Sequence, residues 1–190
     1  MFSRRHFVAS ATASATLLAA WPGLTAELKL NDDGLVMQPW FLESFLILNE
    51  DLSEAKAAGK RFAIFWELKG CPYCKEMHHV NLAKPEILNF VTSNFSVLQL
   101  NIIGSRSVTD FDGEVLSEKA LARKWQVSFT PTIQFFTDNP EAAAGKPGRA
   151  SEVARMPGYF KPDHFIAMFR YVKDKAYETS KFHEYLAKGA

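Results

Sequence analysis

Apolar and polar positions along this chain follow two periods, one typical of strands and one typical of helices. Short apolar or alternating runs of strand length occupy 61–66, 96–102, 132–136 and 152–156. Helical spacing and helix-forming residues occupy 40–58, 72–80, 85–91, 118–125 and 162–175. Loops are predicted at 104–117 and 138–149, which are polar or rich in glycine, proline and alanine. This order predicts an α/β domain whose small central sheet is covered by helices on both faces.

The amino terminus has the pattern of an export signal. Arg4 and Arg5 precede an apolar, small-residue stretch from Val8 to Ala20, which is too short to span a bilayer as a stable helix. Paired arginines followed by a hydrophobic residue are typical of twin-arginine signals, although an ordinary secretory signal or a retained membrane anchor can also carry them. We expect residues 1–26 to direct export to the periplasm and residues 27–190 to form a single domain.

Composition limits the functions that this domain can have. The chain carries 22 basic and 21 acidic residues, and removal of residues 1–26 takes away two basic ones, so the net charge changes from +1 to −1. The sequence has no basic run and therefore does not indicate binding to nucleic acid or to an anionic membrane surface. A domain of this length buries roughly 70% of its unfolded surface, and 14 of the chain's 16 phenylalanines lie in it, enough to supply a core without disulfide bonds.

The chain has two cysteines, Cys71 and Cys74, which are separated by Pro72 and Tyr73. A bond between them closes a loop of four residues, for which the chain-entropy model gives only about 2 kcal/mol of stabilisation. Because cross-links that stabilise folds usually span longer loops, the pair is better explained as reactive than as structural.

The predicted helix that follows the pair assigns the two cysteines different roles. With Cys71 at the N-cap, Pro72 takes the first helical position, where a missing N–H costs nothing. Free backbone N–H groups then face the Cys71 sulfur and stabilise its thiolate, which is the attacking species. Cys71 is therefore the predicted nucleophile. Cys74, one turn inside the helix, is the predicted resolving thiol, which attacks the mixed disulfide between Cys71 and a client.

Neighbouring side chains extend this hypothesis. Pro72 and Tyr73 should tune the reduction potential, because they change the donors and the sterics around the Cys71 thiolate. Lys75 is a candidate for adding positive field near that thiolate, although a solvated helix lysine is the favoured interpretation. Trp66 and Tyr73 are candidates for an aromatic rim that contacts peptide clients, with Trp66 partly in the core and Tyr73 as the better contact.

Pro131 stands directly before a predicted central strand, where a residue without an N–H donor is unusual. A cis Thr130–Pro131 bond would account for it. An ordinary trans turn is the alternative, because only about 5% of such bonds are cis in folded proteins.

Four of these segments together resemble a known family: Phe65-Trp66, Cys71-Pro72-Tyr73-Cys74-Lys75, Ala122-Arg123-Lys124-Trp125 and Thr130-Pro131-Thr132. They resemble the thioredoxin superfamily, and within it the exported branch found with bacterial sulfur-oxidation (Sox) systems, the SoxW-like proteins. The resemblance extends over most of residues 40–175.

This resemblance implies a thioredoxin fold, with a central mixed β-sheet, flanking helices, an N-terminal helical extension and a C-terminal helix. It implies a cis-proline at Pro131 packed against the Cys71–Cys74 disulfide, with the backbone of Thr130 pairing with the client peptide. The implied activity is that of a periplasmic thiol–disulfide oxidoreductase. Such a protein would reduce disulfides of exported clients, among them sulfur-oxidation proteins, and be re-reduced by a membrane thiol transporter. We expect a monomer without a cofactor.

Two positions depart from thioredoxins. Ile64 stands where thioredoxins carry a buried acid that serves proton transfer to the resolving cysteine. Glu67, in a lead-in that is one residue longer, is a candidate replacement, but the favoured interpretation is a solvated loop carboxylate with water handling the proton. The dipeptide Pro72-Tyr73 replaces Gly-Pro, so the sequence leaves the potential and the direction of electron flow open.

Other functions agree less well with the sequence. His78 follows Cys74 by four residues, which suggests a Cys-Cys-His metal site, but a fourth ligand is not apparent, and His78 is better explained as a packed or surface residue. Covalent haem requires histidine directly after Cys74, where this chain has Lys75. A thiol oxidase of the DsbA kind or an isomerase is the alternative enzyme. The alternative outside enzymes is a binding module in which Cys71 and Cys74 form a metal site or a structural element.

Overall fold

A computed structural model describes residues 29–189, so the predicted export signal at 1–26 lies outside the described residues. The strands are β1 (Arg61–Glu67), β2 (Phe95–Asn101), β3 (Ser107–Thr109), β4 (Val115–Ser117), β5 (Thr132–Phe136) and β6 (Glu152–Pro157). The helices are α1 (Leu48–Ala57), α2 (Pro72–Glu76), α3 (Pro85–Asn94), α4 (Glu118–Lys124), α5 (Pro140–Ala143), α6 (Gly148–Ser151), α7 (Pro162–Lys173) and α8 (Phe182–Ala187). A π-helical turn, Met77–Asn81, continues α2, and a 3-10 turn, Ala176–Glu178, follows α7. Within the described part of the chain, every helix is too short or too polar to cross a membrane.

Four strands form the central sheet in the order β2-β1-β5-β6, with β1 parallel to β2 and antiparallel to β5. Side chains of β1 alternate between the two faces. Phe62, Ile64 and Trp66 join one apolar cluster with residues of α1 and α4, whereas Ala63 and Phe65 join a second cluster with residues of α3 and α7. The sheet is therefore mixed and covered by helices on both faces, which confirms the predicted fold class.

The predicted strands agree closely with those observed. The β5 prediction matches the observed strand residue for residue, and β1, β2 and β6 agree within one residue at each end. The two predicted loops were wrong in part, because 104–117 contains the β3–β4 hairpin and 138–149 contains α5 and the start of α6. These elements are three or four residues long, and so short a segment shows neither helical nor strand periodicity.

The predicted helix at 40–58 is wrong in its first half, since α1 begins only at Leu48. Leu46 has a left-handed backbone with φ of 62°, and its N–H donates to the hydroxyl oxygen of Ser44. The N–H of Leu42 donates to the carbonyl of Val97, so this segment runs beside β2. Phe45, which suggested helical spacing, is 94% exposed. Contacts with the sheet edge and with Ser44 replace the hydrogen bonds that a helix would have made.

Asp51 on α1 is buried, with 4% of its surface exposed, and its carboxylate accepts a hydrogen bond from the Ser44 hydroxyl at 2.7 Å. Burial raises the pKa of Asp51 to about 6, and the Ser44 hydrogen bond opposes this only in part. An acid with a raised pKa in the folded state binds its proton more tightly when folded. Its contribution therefore favours folding at low pH and is lost as pH rises from the unfolded pKa towards 6.

Asp51→Asn should therefore become more stable relative to the wild type as pH rises, because asparagine keeps an acceptor for Ser44 and carries no charge. Between pH 4 and pH 7 the difference in the free energy of unfolding should move in favour of the variant by about 2 kcal/mol. Urea unfolding at the two pH values measures it. Asp33→Asn, which changes an exposed acid outside α1, is the control. A difference that is the same at pH 4 and pH 7 would contradict the prediction.

Candidate active site

The two cysteines lie at the junction between β1 and α2. A turn over residues 68–70 connects the strand to Cys71, and Gly70 has a φ of 75°, a left-handed conformation that glycine adopts without strain. Cys71 is the N-cap of α2 and Pro72 is its first residue. The Cα atoms of Cys71 and Cys74 are 5.3 Å apart, and the two residues form a disulfide bond. The local backbone therefore places both sulfurs at the end of a central strand.

The two sulfurs differ in their surroundings. Cys74 is 4% exposed, whereas Cys71 is partly exposed. The backbone N–H of Cys74 donates to the Cys71 sulfur at 3.1 Å. In the reduced protein the same N–H would stabilise a thiolate on Cys71, since hydrogen bonds to the charged form favour it. An incoming disulfide can thus reach Cys71, while Cys74 is covered.

The segment before β5 approaches the disulfide from the opposite side. The Thr130–Pro131 peptide bond is cis. The carbonyl oxygen of Thr130 lies 3.4 Å from the Cys71 sulfur, and the carbonyl of Pro131 accepts a hydrogen bond from the N–H of Gly158. The structure therefore brings Thr130 and Pro131 next to Cys71, although 59 residues separate Thr130 from it in the sequence.

Aromatic side chains border the disulfide, but not the pair that the sequence suggested. Trp66 is fully buried and its indole N–H donates to the side-chain oxygen of Gln134, so it belongs to the core and cannot contact a client. Tyr73 is 59% exposed and stacks on Tyr159 with ring centroids 6.2 Å apart. Phe129, directly before Thr130, is also exposed. The aromatic surface beside the disulfide thus consists of the exposed Tyr73 and Phe129 and the half-buried Tyr159.

Asn81, in the π-helical turn that continues the cysteine helix, holds Tyr159 in place. The hydroxyl of Tyr159 donates to the side-chain oxygen of Asn81 at 3.0 Å, and the amide of Asn81 donates to the carbonyl of Phe160. Asn81 is buried in the π-helical turn. π-helical turns inside helices are frequent at functional sites, and this one fixes the stacking partner of Tyr73.

A model of the thioredoxin-like domain family matches residues 48–173. This chain belongs to that family. Its thioredoxin-like fold and its close cysteine pair are consistent with thiol–disulfide oxidoreductase activity. Comparison with curated proteins found no match.

Solved structures give the same fold. A thioredoxin-fold protein from Helicobacter pylori is 23% identical and has a TM-score of 0.51, with 68% of this chain and 79% of that chain covered. A thioredoxin from Thermus thermophilus, solved in solution, is 24% identical and has a TM-score of 0.53, with 72% and 92% covered. At this level of identity the similarity concerns the fold alone.

The buried acid of thioredoxins has no counterpart at Ile64, which is fully buried among apolar side chains. Glu67 is not the solvated loop carboxylate that the sequence favoured. It is the last residue of β1, is 1% exposed, and both of its carboxylate oxygens lie 3.0 to 3.1 Å from Nε2 of His78. β1 extends one residue beyond the predicted strand and therefore includes Glu67, whose side chain is buried.

Glu67 and His78 line one groove together with both cysteines. The groove has a volume of about 1270 Å³ and is closed on one side by a lead segment, residues 29–38. Lys75 is exposed at its rim, next to Cys74. Groups of three or more histidine, cysteine or acidic side chains that could hold a metal ion do not occur within residues 29–189. His78 instead binds Glu67 and, through Nδ1, the side-chain amide of Gln38.

Sequence reasoning missed two parts of this site. Tyr159 lies 86 residues from Tyr73, and Gln38 lies 40 residues from His78. In neither case does a spacing or a motif in the sequence point to the partner. For His78 itself the sequence does hold a signal. It follows Cys74 by four residues, which places both residues on one face of a helix.

Proposed function

We propose that this chain is a periplasmic thiol–disulfide oxidoreductase that reduces disulfides of exported clients. The observation that carries the proposal is the contrast between the two sulfurs, an accessible Cys71 whose sulfur receives an N–H hydrogen bond and a covered Cys74 directly behind it. A reduced Cys71 attacks the client disulfide as a thiolate. Cys74 then attacks the resulting mixed disulfide, releases the client in its reduced form and regenerates the bond between the two cysteines.

The surface around Cys71 supports a peptide client. The exposed rings of Tyr73 and Phe129 offer apolar contact area next to the sulfur. Thr130 presents backbone groups beside Cys71, and an extended client segment would pair with them as a strand pairs with a sheet edge. We infer that clients expose an extended segment with apolar residues beside the disulfide.

The location and the partners belong to the same proposal. The twin-arginine pattern at residues 1–26 supports export, and the resemblance to SoxW-like proteins supports sulfur-oxidation components as clients. In the periplasm no soluble buffer keeps thiols reduced, so a membrane thiol transporter would have to re-reduce Cys71 and Cys74. We expect the protein to act as a monomer without a cofactor.

The midpoint reduction potential tests the direction of electron flow. Equilibration of the Cys71–Cys74 couple with glutathione buffers should place it well below that of glutaredoxins, towards about −270 mV as in thioredoxin. The Cys71→Ser variant, which has no such couple, is the control. A value near −120 mV would instead identify a thiol oxidase. The hydrogen bond from the Cys74 N–H to the Cys71 sulfur makes Cys71 the attacking thiolate in either case, so the measured potential decides the direction.

A further inference from the structure

Glu67 and His78 form a buried pair that the steps described so far do not use. Glu67 is 1% exposed and His78 is 2% exposed. Burial of a carboxylate is costly unless the group is paired and hydrogen-bonded, and His78 supplies that pairing. Replacement of a buried charged pair by apolar residues of similar volume is often neutral or stabilising, so stability alone does not account for Glu67 and His78. The pair is therefore better explained by a role in the chemistry of the groove that it lines.

The hydrogen bond from Gln38 determines the tautomer of His78. Its side-chain amide nitrogen lies 3.0 Å from Nδ1 and donates to it, so the proton of the neutral ring is on Nε2 and points to Glu67. Both ring nitrogens are thereby occupied. The carboxylate of Glu67 receives one hydrogen bond from His78 and keeps further lone pairs free. Within this pair, Glu67 is the group that can accept a proton.

The resolving thiol shares the groove with this acceptor. Cys74 and His78 are four residues apart along the helix that runs from α2 into the π-helical turn, and Cys74, Glu67 and His78 all line the groove. Glu67 is the one carboxylate among the described residues of its lining, where the other titratable groups besides the cysteines and His78 are Lys75 and His79.

One further charged pair, Arg106 and Glu118, contacts the neighbouring strand β2. The backbone of Asn101 on β2, opposite Glu67 in the sheet, is bound by the carboxylate of Glu118, which Arg106 neutralises. Glu118 is thus already engaged by backbone and guanidinium donors. Glu67 is the carboxylate of this region that faces the groove.

We propose that Glu67 accepts the proton of the Cys74 thiol when Cys74 attacks the mixed disulfide, and that His78 and Gln38 position it. This inference rests on the proposed function. The S–H bond of Cys74 breaks and its proton passes to a carboxylate oxygen of Glu67. A bond forms between the sulfurs of Cys74 and Cys71, and the bond between Cys71 and the client sulfur breaks. The client sulfur leaves as a thiolate, and Glu67 later releases the proton to water in the open groove.

The electrons balance in the same sequence. Over both steps the dithiol of Cys71 and Cys74 loses two electrons and becomes a disulfide, and the client disulfide gains two electrons and becomes two thiols. The acid that thioredoxins carry at the position of Ile64 is thus replaced by a carboxylate three residues later on the same strand. Its side chain lies on the opposite face of β1 from that of Ile64, where it is buried at the wall of the groove.

Reaction of the reduced protein with one equivalent of 5,5′-dithiobis(2-nitrobenzoate) separates the two steps. The first thionitrobenzoate is released when Cys71 attacks, and the second when Cys74 resolves the adduct. Glu67→Gln keeps the size of the side chain and an acceptor for His78 but cannot take up a proton. At pH 7 it should slow the second release by about 100-fold, the lower range for general base catalysis, and leave the first unchanged.

The pH profile separates proton transfer from a merely structural effect. The deficit of Glu67→Gln in the second release should shrink as pH rises from 7 to 9, because hydroxide in the groove can then take the proton of Cys74 in place of Glu67. Asp51→Asn, which removes a buried acid on α1, is the matched control and should leave both releases unchanged. A second release unaffected by Glu67→Gln at pH 7, or slowed equally at pH 7 and pH 9, would overturn the proposal.

A second variant covers the case in which Glu67→Gln does not fold. Gln38 is half-buried on the lead segment, and Gln38→Leu removes only the contact with Nδ1 of His78. It should slow the second release several-fold at pH 7 and not at pH 9, and an unchanged second release would count against the proposal. Failure of the wild-type protein to give the first release would refute the proposed function instead, so the two failures are distinguishable.

Discussion

Cys71→Ser should abolish disulfide reduction, with a loss of at least about 1,000-fold that reaches the background rate. A serine hydroxyl does not ionise near neutral pH and cannot form the mixed disulfide, so the first step has no nucleophile. Cys74 cannot replace it, because it is 4% exposed beneath Cys71. Reduction of insulin disulfides by dithiothreitol in the presence of each protein, followed by turbidity, measures this loss.

Cys74→Ser is the matched variant, since it removes the other sulfur and leaves Cys71 in place. It should form the mixed disulfide with clients at the normal rate and then stop, because the resolving thiol is missing. Mass spectrometry of adducts purified from periplasmic extracts would then identify the trapped clients. Full turnover by Cys71→Ser would contradict the redox proposal and favour a binding module in which the cysteines are structural.

Asp110→Ala should be among the most destabilising single substitutions, with a loss of about 3–5 kcal/mol in the free energy of unfolding. Asp110 is fully buried. One carboxylate oxygen accepts from the N–H groups of Phe111 and Gly148, and the other accepts from the indole N–H of Trp125 and from Lys124. Alanine would leave the N–H groups of Phe111, Gly148 and Trp125 without an acceptor, whereas Lys124 would keep Asp112 and Glu114. Each buried unsatisfied donor costs about 1–3 kcal/mol.

Asp112→Ala is the control for the charge of Lys124. Asp112 also contacts Lys124, at 2.6 Å, but it lies partly exposed and its other bond is to a solvent-facing N–H. The expected loss is therefore below about 1 kcal/mol. Urea unfolding at pH 7, followed by circular dichroism, measures both variants. Equal losses for the two would show that the ion pair, rather than the buried donors, makes Asp110 important.

The Asp110 network also illustrates what sequence patterns miss. The segment at 104–117 looks like a polar loop, and Asp110 looks like one of its solvated acids. Its partners Trp125 and Gly148 lie 15 and 38 residues further along the chain. Gly148 can approach because it has no side chain, since an added Cβ would overlap the ring of Trp125. Burial of this acid depends on how α4 and α6 pack, which no local pattern records.

The sequence by itself determined the order of the main strands and helices, because those elements are long enough to show a period. β1 has an uninterrupted apolar run from Phe62 to Trp66, β5 is apolar except at Thr132 and Gln134, and both strands are buried along their whole length. The sequence also singled out Cys71, Cys74 and Pro131, since a cysteine pair spaced by two residues and a proline before a central strand are unusual in themselves. The structure places all three residues together.

Tertiary structure alone decided which side chains complete the site. A local pattern places Phe45 on a helix, yet sheet-edge contacts leave it exposed outside α1. A local pattern also predicts that Glu67 is a solvated carboxylate. In the structure it is the last residue of β1 and is buried against His78 of the π-helical turn. Burial and pairing depend on segments that are distant in the chain, such as the lead segment that brings Gln38 to His78. The free energy of a buried charge is set by those neighbours, so only the folded chain reveals which carboxylate can serve the cysteines.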